Sequence, residues 1–138
     1  MEALSWNTFG QKAQSRQTSF EDLSMFLCCR ELGITKIEAY HNQPGIETEP
    51  FEAKDKRYGF QAKYFDSKFD WGQVEKSVTK ALNNYDLDTL FVYSNRPKTL
   101  DQGSKGKSKA ESRIEKLAKT KGTNLRYVTE KEIFLQLT

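Results

Sequence analysis

Apolar positions recur along the chain with two different periods, which predict an alternation of helices and strands. The first helical stripe is formed by Phe20, Leu23, Phe26 and Leu27. A capping box precedes this stripe, with Thr18 as the N-cap residue and Glu21 three residues later. Gly33 supplies a C-terminal stop, so the first helix is predicted to begin at Thr18 and to end at Gly33.

Three strands are predicted to follow, over residues 34–41, 46–51 and 58–65. An Asn-Gln-Pro-Gly turn at residues 42–45 separates the first two strands. A charged connection over residues 52–57 separates the second strand from the third, which is rich in aromatic residues.

Helical spacing returns after a loop predicted at residues 66–72. One face of this second helix carries Val74, Val78, Ala81, Leu82 and Tyr85. Residues 90–94 are a short, continuous apolar run, which is typical of a strand that is buried on both faces.

The last third of the chain repeats this alternation. A Gly, Ser and Lys-rich loop leads to a helix predicted at residues 108–121 and closed by Gly122. Residues 125–128 are predicted to form a strand, and Thr129 with Glu132 three residues later is predicted to cap a terminal helix.

The predicted order is helix, three strands, helix, strand, helix, strand, helix. A strand meander followed by two crossovers predicts an α/β fold in three layers, with a mixed central β-sheet flanked by helices. The 138 residues are expected to form a single domain. Because the chain stops directly after a helix, we expect this domain to be part of a larger protein, although a small free-standing protein is the alternative.

The net charge of the chain is only +3, but the charged residues are unevenly distributed along the sequence. Five acidic residues and one base lie between residues 38 and 55, whereas nine bases and three acids lie between residues 96 and 121. An acidic centre followed by a basic half would suit a metal site that faces a phosphate backbone, and two solvated faces are the alternative. The candidate phosphate contacts are Lys105, Lys107, Lys109 and Arg113, together with Lys76 on the second helix.

The only two cysteines, Cys28 and Cys29, are adjacent within the first helix, so they are not spaced for a disulfide staple. This favours a reducing compartment and buried packing of both thiols. The sequence contains neither a signal peptide nor an apolar run long enough for a membrane span, so we expect a cytoplasmic protein with no membrane partner.

Candidate chemistry lies on the third predicted strand. Alternate side chains share a face of a strand, so Gln61 and Lys63 are predicted to point together. If the strand that carries Glu47 pairs antiparallel with it, a carboxylate, an amide oxygen and an ammonium group meet at one point. Such a set can bind Mg²⁺ or Mn²⁺ and orient a water molecule for attack on a phosphodiester.

These residues resemble the motif of the PD-(D/E)xK nuclease superfamily. Gly45-Ile46-Glu47 and Gln61-Ala62-Lys63 are similar to the Gly-Ile-Asp and Gln-x-Lys of its Mrr-like branch, and Phe20-Glu21 is similar to the helical Phe-Glu of that branch. The string from Gly59 to Phe65, with Trp71 and the helix after it, looks like the nuclease domains at the front of bacterial antiviral STAND NTPases (the Avs group).

The resemblance implies a restriction-endonuclease-like fold and Mg²⁺- or Mn²⁺-dependent cleavage of double-stranded DNA. It implies that Glu47, Gln61, Lys63 and Glu21 are catalytic and that Glu47, Gln61 and Glu21 bind the metal. It also implies an antiphage effector domain at the N-terminal end of a larger protein, acting as a homo-oligomer or in clusters.

Each of these residues has an alternative role. Lys63 would otherwise protect a sheet edge, Gln61 would be a strand polar group, Glu21 would serve the capping box, and Glu49 shares a face with Glu47 as a rival ligand. Two departures from the pattern, Glu47 in place of aspartate and the neutral Gln61, keep open a catalytically silent DNA-binding or scaffolding module. An RNA-binding domain is a third possibility, and it would need exposed stacking aromatics.

Overall fold

The computed structural model describes residues 16–34, 50–99 and 108–137. Eight elements lie in this part of the chain: α1 (Arg16–Leu32), β1 (Phe51–Ala53), β2 (Lys56–Lys63), α2 (Trp71–Asn84), β3 (Thr89–Ser94), α3 (Lys109–Lys121), β4 (Asn124–Val128) and α4 (Glu130–Leu137). No helix in these three ranges is both long and apolar enough to cross a membrane.

The four described strands form one mixed sheet in the order β1-β2-β3-β4. β1 pairs antiparallel with β2, whereas β2, β3 and β4 are parallel to one another. The parallel pairs are connected through α2 and α3, as parallel neighbours require a crossover. In the register of β2 and β3, Gln61 lies opposite Val92 and Lys63 lies opposite Ser94.

The sheet separates two cores. One core joins side chains of α1 and α4 to the sheet, namely Phe20, Leu27, Cys28, Phe51, Tyr58, Phe60, Ala62, Phe91, Tyr93, Val128 and Ile133. The other joins α2 and α3 to the opposite face through Phe65, Phe69, Val74, Val78, Ala81, Leu82, Leu87, Leu90, Val92, Ile114 and Ala118. The predicted α/β fold, with a mixed sheet between two helical layers, is confirmed.

The predicted start of α1 is wrong. Arg16 and Gln17 are already helical, so Thr18 lies within the helix and is not its N-cap residue. The Gln17 side chain bonds the backbone of β2, and this tertiary contact favours a helix that begins before the local capping signal. The predicted stop is confirmed, because Gly33 has a left-handed φ of 70° that glycine adopts without steric cost.

The predicted connection at residues 52–57 is instead a hairpin. Glu52 and Ala53 belong to β1, Lys56 and Arg57 belong to β2, and the turn consists of two residues, Lys54 and Asp55. Both turn residues have positive φ values, 54° and 65°, which match the twist of the flanking strands in a two-residue hairpin. This turn lacks the Gly or Asn that normally signals such a hairpin, so the pattern predicted a connection.

The bounds of β2 and α2 differ from the predicted bounds by about two residues, and those of α3 agree with the prediction. β2 begins two residues earlier than predicted and ends at Lys63. α2 begins at Trp71 after an Asp70 N-cap, which is within the predicted loop, and α3 follows its Ser108 N-cap and closes at Gly122 as predicted. Apart from Ile34, the strand predicted at residues 34–41 lies outside the described residues, as does most of the strand predicted at residues 46–51.

The two cysteines are buried within α1 and neither forms a disulfide. Cys28 is fully enclosed, and burial, followed by the neighbouring Cys29 and Glu31, raises the pKa of its thiol to about 12. Burial also raises the pKa of Cys29 and of Tyr93, which packs beside Cys28. Both thiols are therefore neutral packing groups, as expected from the sequence.

Candidate functional site

The candidate site lies at the carboxyl end of β2, where the two faces of this strand differ in polarity. Phe60 and Ala62 point into the core beneath α1, and Tyr64 packs against the Phe20 ring at 5.9 Å. Gln61 and Lys63 point to the other face and bond α2. The strand period thus brings the amide and the ammonium group together, as the sequence predicts.

Gln61 and Lys63 meet the same residue of α2. The Gln61 Nε2 group donates a hydrogen bond to the backbone carbonyl of Ser77 at 3.0 Å. The Lys63 Nζ group donates to the hydroxyl of Ser77 at 2.6 Å. Val74 and Val78 are buried on the face of α2 that packs against the sheet. Ser77 lies three residues after Val74 and directly before Val78, so it lies beside this face and close to the sheet.

The other end of the Gln61 amide has no partner in the described part of the chain. Gln61 is 6% exposed, and its Oε1 atom is buried without a hydrogen bond among residues 16–34, 50–99 and 108–137. A buried carbonyl oxygen without a partner costs roughly 1–3 kcal/mol. An amide oxygen is one of the oxygen ligand types that Mg²⁺ and Mn²⁺ accept, and Gln61 supplies one such atom here.

Glu21 lies on α1, the helix that covers the face of β2 opposite to Gln61 and Lys63. The Gln17 Nε2 group donates to the Glu21 carboxylate at 2.7 Å and to the Ala62 carbonyl at 3.0 Å. The Gln17 Oε1 atom accepts from the Tyr64 N–H at 3.0 Å. The Gln17 side chain therefore links the Glu21 carboxylate to the backbone of Ala62, the residue between Gln61 and Lys63. The capping role expected for Glu21 is wrong, because α1 begins before Thr18.

A second amide side chain holds the end of β2 from the other side. Asn95, which is fully buried, accepts from the Phe65 N–H at 2.7 Å and donates to the Phe65 carbonyl at 2.9 Å. Its own backbone N–H donates to the Lys63 carbonyl at 3.4 Å. Arg96 adds bonds to the carbonyls of Phe65 and Asp66. The backbone that carries Lys63 is therefore fixed beyond the last residue of β2.

Glu47, the predicted carboxylate ligand, lies outside the described residues, as does Glu49. β1, which begins four residues after Glu47, pairs antiparallel with β2, and Phe51 lies opposite Tyr58. Within the described ranges, no group of three or more His, Cys, Asp or Glu residues is arranged to hold a metal.

The predicted phosphate contacts divide into three groups. Lys105 and Lys107 lie outside the described residues, and Lys76 and Lys109 are exposed on α2 and α3. Arg113 forms a two-pronged salt bridge with Glu75 at 2.6 and 2.8 Å. This hydrogen bonding lowers the pKa of Glu75, and it occupies the guanidinium group that was expected to meet phosphate.

Sequence reasoning missed Gln17 and Ser77. Gln17 lies one helical turn before Glu21, so the two polar side chains are neighbours on one helix face. This spacing could have predicted their contact from the sequence. Ser77 had a weaker signal, a hydroxyl within the inward stripe of α2. Trp71, expected to be a packing residue, contacts the Phe69 ring at 4.6 Å and donates from Nε1 to the Thr99 carbonyl at 2.8 Å.

A comparison of the sequence with known protein families finds no match, and a comparison with curated proteins finds none either.

Proposed function

We propose that this protein is a metal-dependent endonuclease of the PD-(D/E)xK type that hydrolyses phosphodiester bonds of double-stranded DNA. The observation that carries the proposal is the convergence of Gln61 and Lys63 on Ser77 at the carboxyl end of β2, with the Gln61 Oε1 atom buried and unpartnered among the described residues. Burying polar groups in this way is costly, and a ligand would offset the cost.

Three oxygen donors would hold the metal, namely the Gln61 amide oxygen and the carboxylates of Glu21 and Glu47. Bound Mg²⁺ or Mn²⁺ supplies charge that polarises a phosphate oxygen and acidifies a water molecule. Because Gln61 is neutral, the two carboxylates carry the negative charge of the site.

Lys63 has a separate role in this proposal. Its ammonium group, held at 2.6 Å from the Ser77 hydroxyl, orients the attacking water and offsets the negative charge that develops on the phosphate. Its half-buried position keeps the charge close to the reacting group and partly screened from solvent.

The DNA backbone would be held by the exposed Lys76 and Lys109, with Lys105 and Lys107 from the intervening loop. Arg113 would contribute only if it left its salt bridge with Glu75. A cytoplasmic antiphage effector, joined to a larger protein and active as an oligomer or in clusters, is the biological setting that fits this activity.

A catalytically silent DNA-binding or scaffolding module is the second candidate. It is favoured by the neutral Gln61 in place of a carboxylate and by the hydrogen bond that occupies one oxygen of Glu21. Both candidates would bind DNA, and only the first would cut it in the presence of a divalent cation.

The test compares two lysines of β2. Lys63→Ala should reduce Mg²⁺-dependent plasmid cleavage by roughly 10²- to 10⁴-fold, because it removes the group that orients water, with a near-native melting temperature. The control is Lys56→Ala, which alters an exposed lysine at the opposite end of the strand and should cut normally. A wild-type protein that binds DNA and never cuts it would support the silent module, and equal cleavage by both variants would remove Lys63 from the mechanism.

A further inference from the structure

We propose that Ser77 is the positioning residue of this site and sets the orientation of both motif side chains. It uses two different groups to do so. Its backbone carbonyl accepts from the Gln61 amide nitrogen, and its hydroxyl accepts from the Lys63 ammonium nitrogen. This inference deepens the proposed nuclease function and rests on it for its catalytic consequences.

The bond to the backbone carbonyl determines which end of the Gln61 amide faces the site. A carbonyl oxygen accepts hydrogen bonds only, so the Nε2 group must turn towards Ser77 and the Oε1 atom must turn away. The buried Oε1 atom is the one without a partner among the described residues. Ser77 thus presents an oxygen, and not an N–H group, to the position where a cation would lie.

The hydroxyl has a property that a carboxylate or an amide nitrogen lacks. A serine hydroxyl can accept a hydrogen bond from an ammonium group and can donate one to a neutral amine. It can therefore stay bonded to Lys63 whether the lysine carries its proton or has passed it on. A residue that bonds both states can keep the lysine nitrogen in place through a proton-transfer cycle.

Placement on α2 gives this arrangement rigidity. Ser77 is half-buried in the middle of a helix whose neighbouring residues Val74 and Val78 are fully buried against the sheet. Misplacement of a catalytic group by about 1 Å can reduce a rate by about 10²-fold. The packing of α2 therefore limits how far Lys63 and Gln61 can drift.

The experiment uses Ser77→Ala, Ser77→Thr and Thr79→Ala. Ser77→Ala removes the bond to Lys63 alone, because the bond to Gln61 comes from the backbone. Ser77→Thr keeps a hydroxyl, and Thr79→Ala is a control that removes another hydroxyl from the same helix. We expect Ser77→Ala to lower kcat by roughly 10- to 100-fold with KM for DNA unchanged, and Ser77→Thr to restore most of the loss.

A second measurement does not need activity. The ¹H–¹⁵N signal of the Lys63 ammonium group, assigned through Lys63→Arg, should be visible in the wild type, Ser77→Thr and Thr79→Ala and should broaden or vanish in Ser77→Ala. If this pattern appears in a protein that never cuts DNA, the positioning role stands and the nuclease function fails. Wild-type kcat in Ser77→Ala, or an equal fall in the Thr79→Ala control, would overturn the role proposed for Ser77.

Discussion

The two faces of β2 are built from the same eight residues and differ in what they bury. Beneath α1, the Tyr58 ring lies 5.9 Å from Phe91 and the Phe60 ring lies 5.5 Å from Tyr93, so the middle of this face is aromatic packing. Beneath α2, the face carries the exposed Arg57 first, then Gly59, which packs against leucines, and then Gln61 and Lys63.

The second face therefore changes from tight apolar packing to polar contacts within five residues. An added Cβ at Gly59 would lie 2.8 Å from side-chain atoms of both Leu87 and Leu90, so this end of the face has no room for a side chain. At the carboxyl end of this face, the Gln61 amide and the Lys63 ammonium group lie where apolar side chains would make the fold more stable. When one face of a strand is packed with apolar side chains and the other face carries buried polar groups, the polar groups are the candidates for function.

The largest effect should appear when the aromatic face is opened. Phe60→Ala should lower the free energy of unfolding by about 3–5 kcal/mol, because it leaves a cavity between Tyr93 and α1. Lys63→Ala, on the other face, should lower it by less than about 1 kcal/mol. Urea unfolding followed by circular dichroism measures both values, and similar losses would mean that the two faces do not differ in the way described.

A smaller effect should follow when the polar end is made apolar. Gln61→Leu should change the free energy of unfolding by less than about 1 kcal/mol, because removal of the buried oxygen without a described partner offsets the lost bond to the Ser77 carbonyl. The same change should weaken Mn²⁺ binding by about tenfold or more, as measured by calorimetry. Gln73→Leu, on an exposed turn of α2, is the control, and unaltered Mn²⁺ affinity in Gln61→Leu would exclude Gln61 as a ligand.

The smallest effect concerns the thiol beneath the aromatic face. Burial raises the pKa of Cys28 from 9.0 to about 12, so the neutral thiol stabilises the fold fully below pH 9 and this stability is lost as the pH rises towards 12. We expect the free energy of unfolding to fall by about 1 kcal/mol between pH 9 and 10 from this group. Cys28→Ala should be less stable at neutral pH and should show a shallower fall, whereas an unchanged slope would assign the effect to Cys29 or Tyr93.

The periodic elements could be predicted from the sequence because their burial is one-sided. The stripe of Val74, Val78 and Leu82 predicted α2, and the same reasoning predicted that Gln61 and Lys63 share a face. The layers followed from the order of these elements, since parallel strands require crossovers that cover the sheet.

The contacts that complete the site could not be predicted in this way. Ser77 meets Lys63 across 14 residues of sequence, and Gln17 meets Ala62 across 45, so no local pattern announces either contact. The early start of α1 has the same origin, because a tertiary bond from Gln17 overrides a capping box that is locally correct. The hairpin was missed because Lys54 and Asp55 adopt a conformation usually reserved for glycine and asparagine.

The two-residue hairpin also bears on the order in which the chain folds. β1 and β2 meet across a turn of only Lys54 and Asp55, so their pairing is the most local contact of the described sheet. The pairing of β2 with β3 spans α2 in the sequence, and Gln61 and Lys63 contact Ser77 only when that helix is packed against the sheet. The contacts of the proposed site therefore depend on less local pairing than the hairpin does.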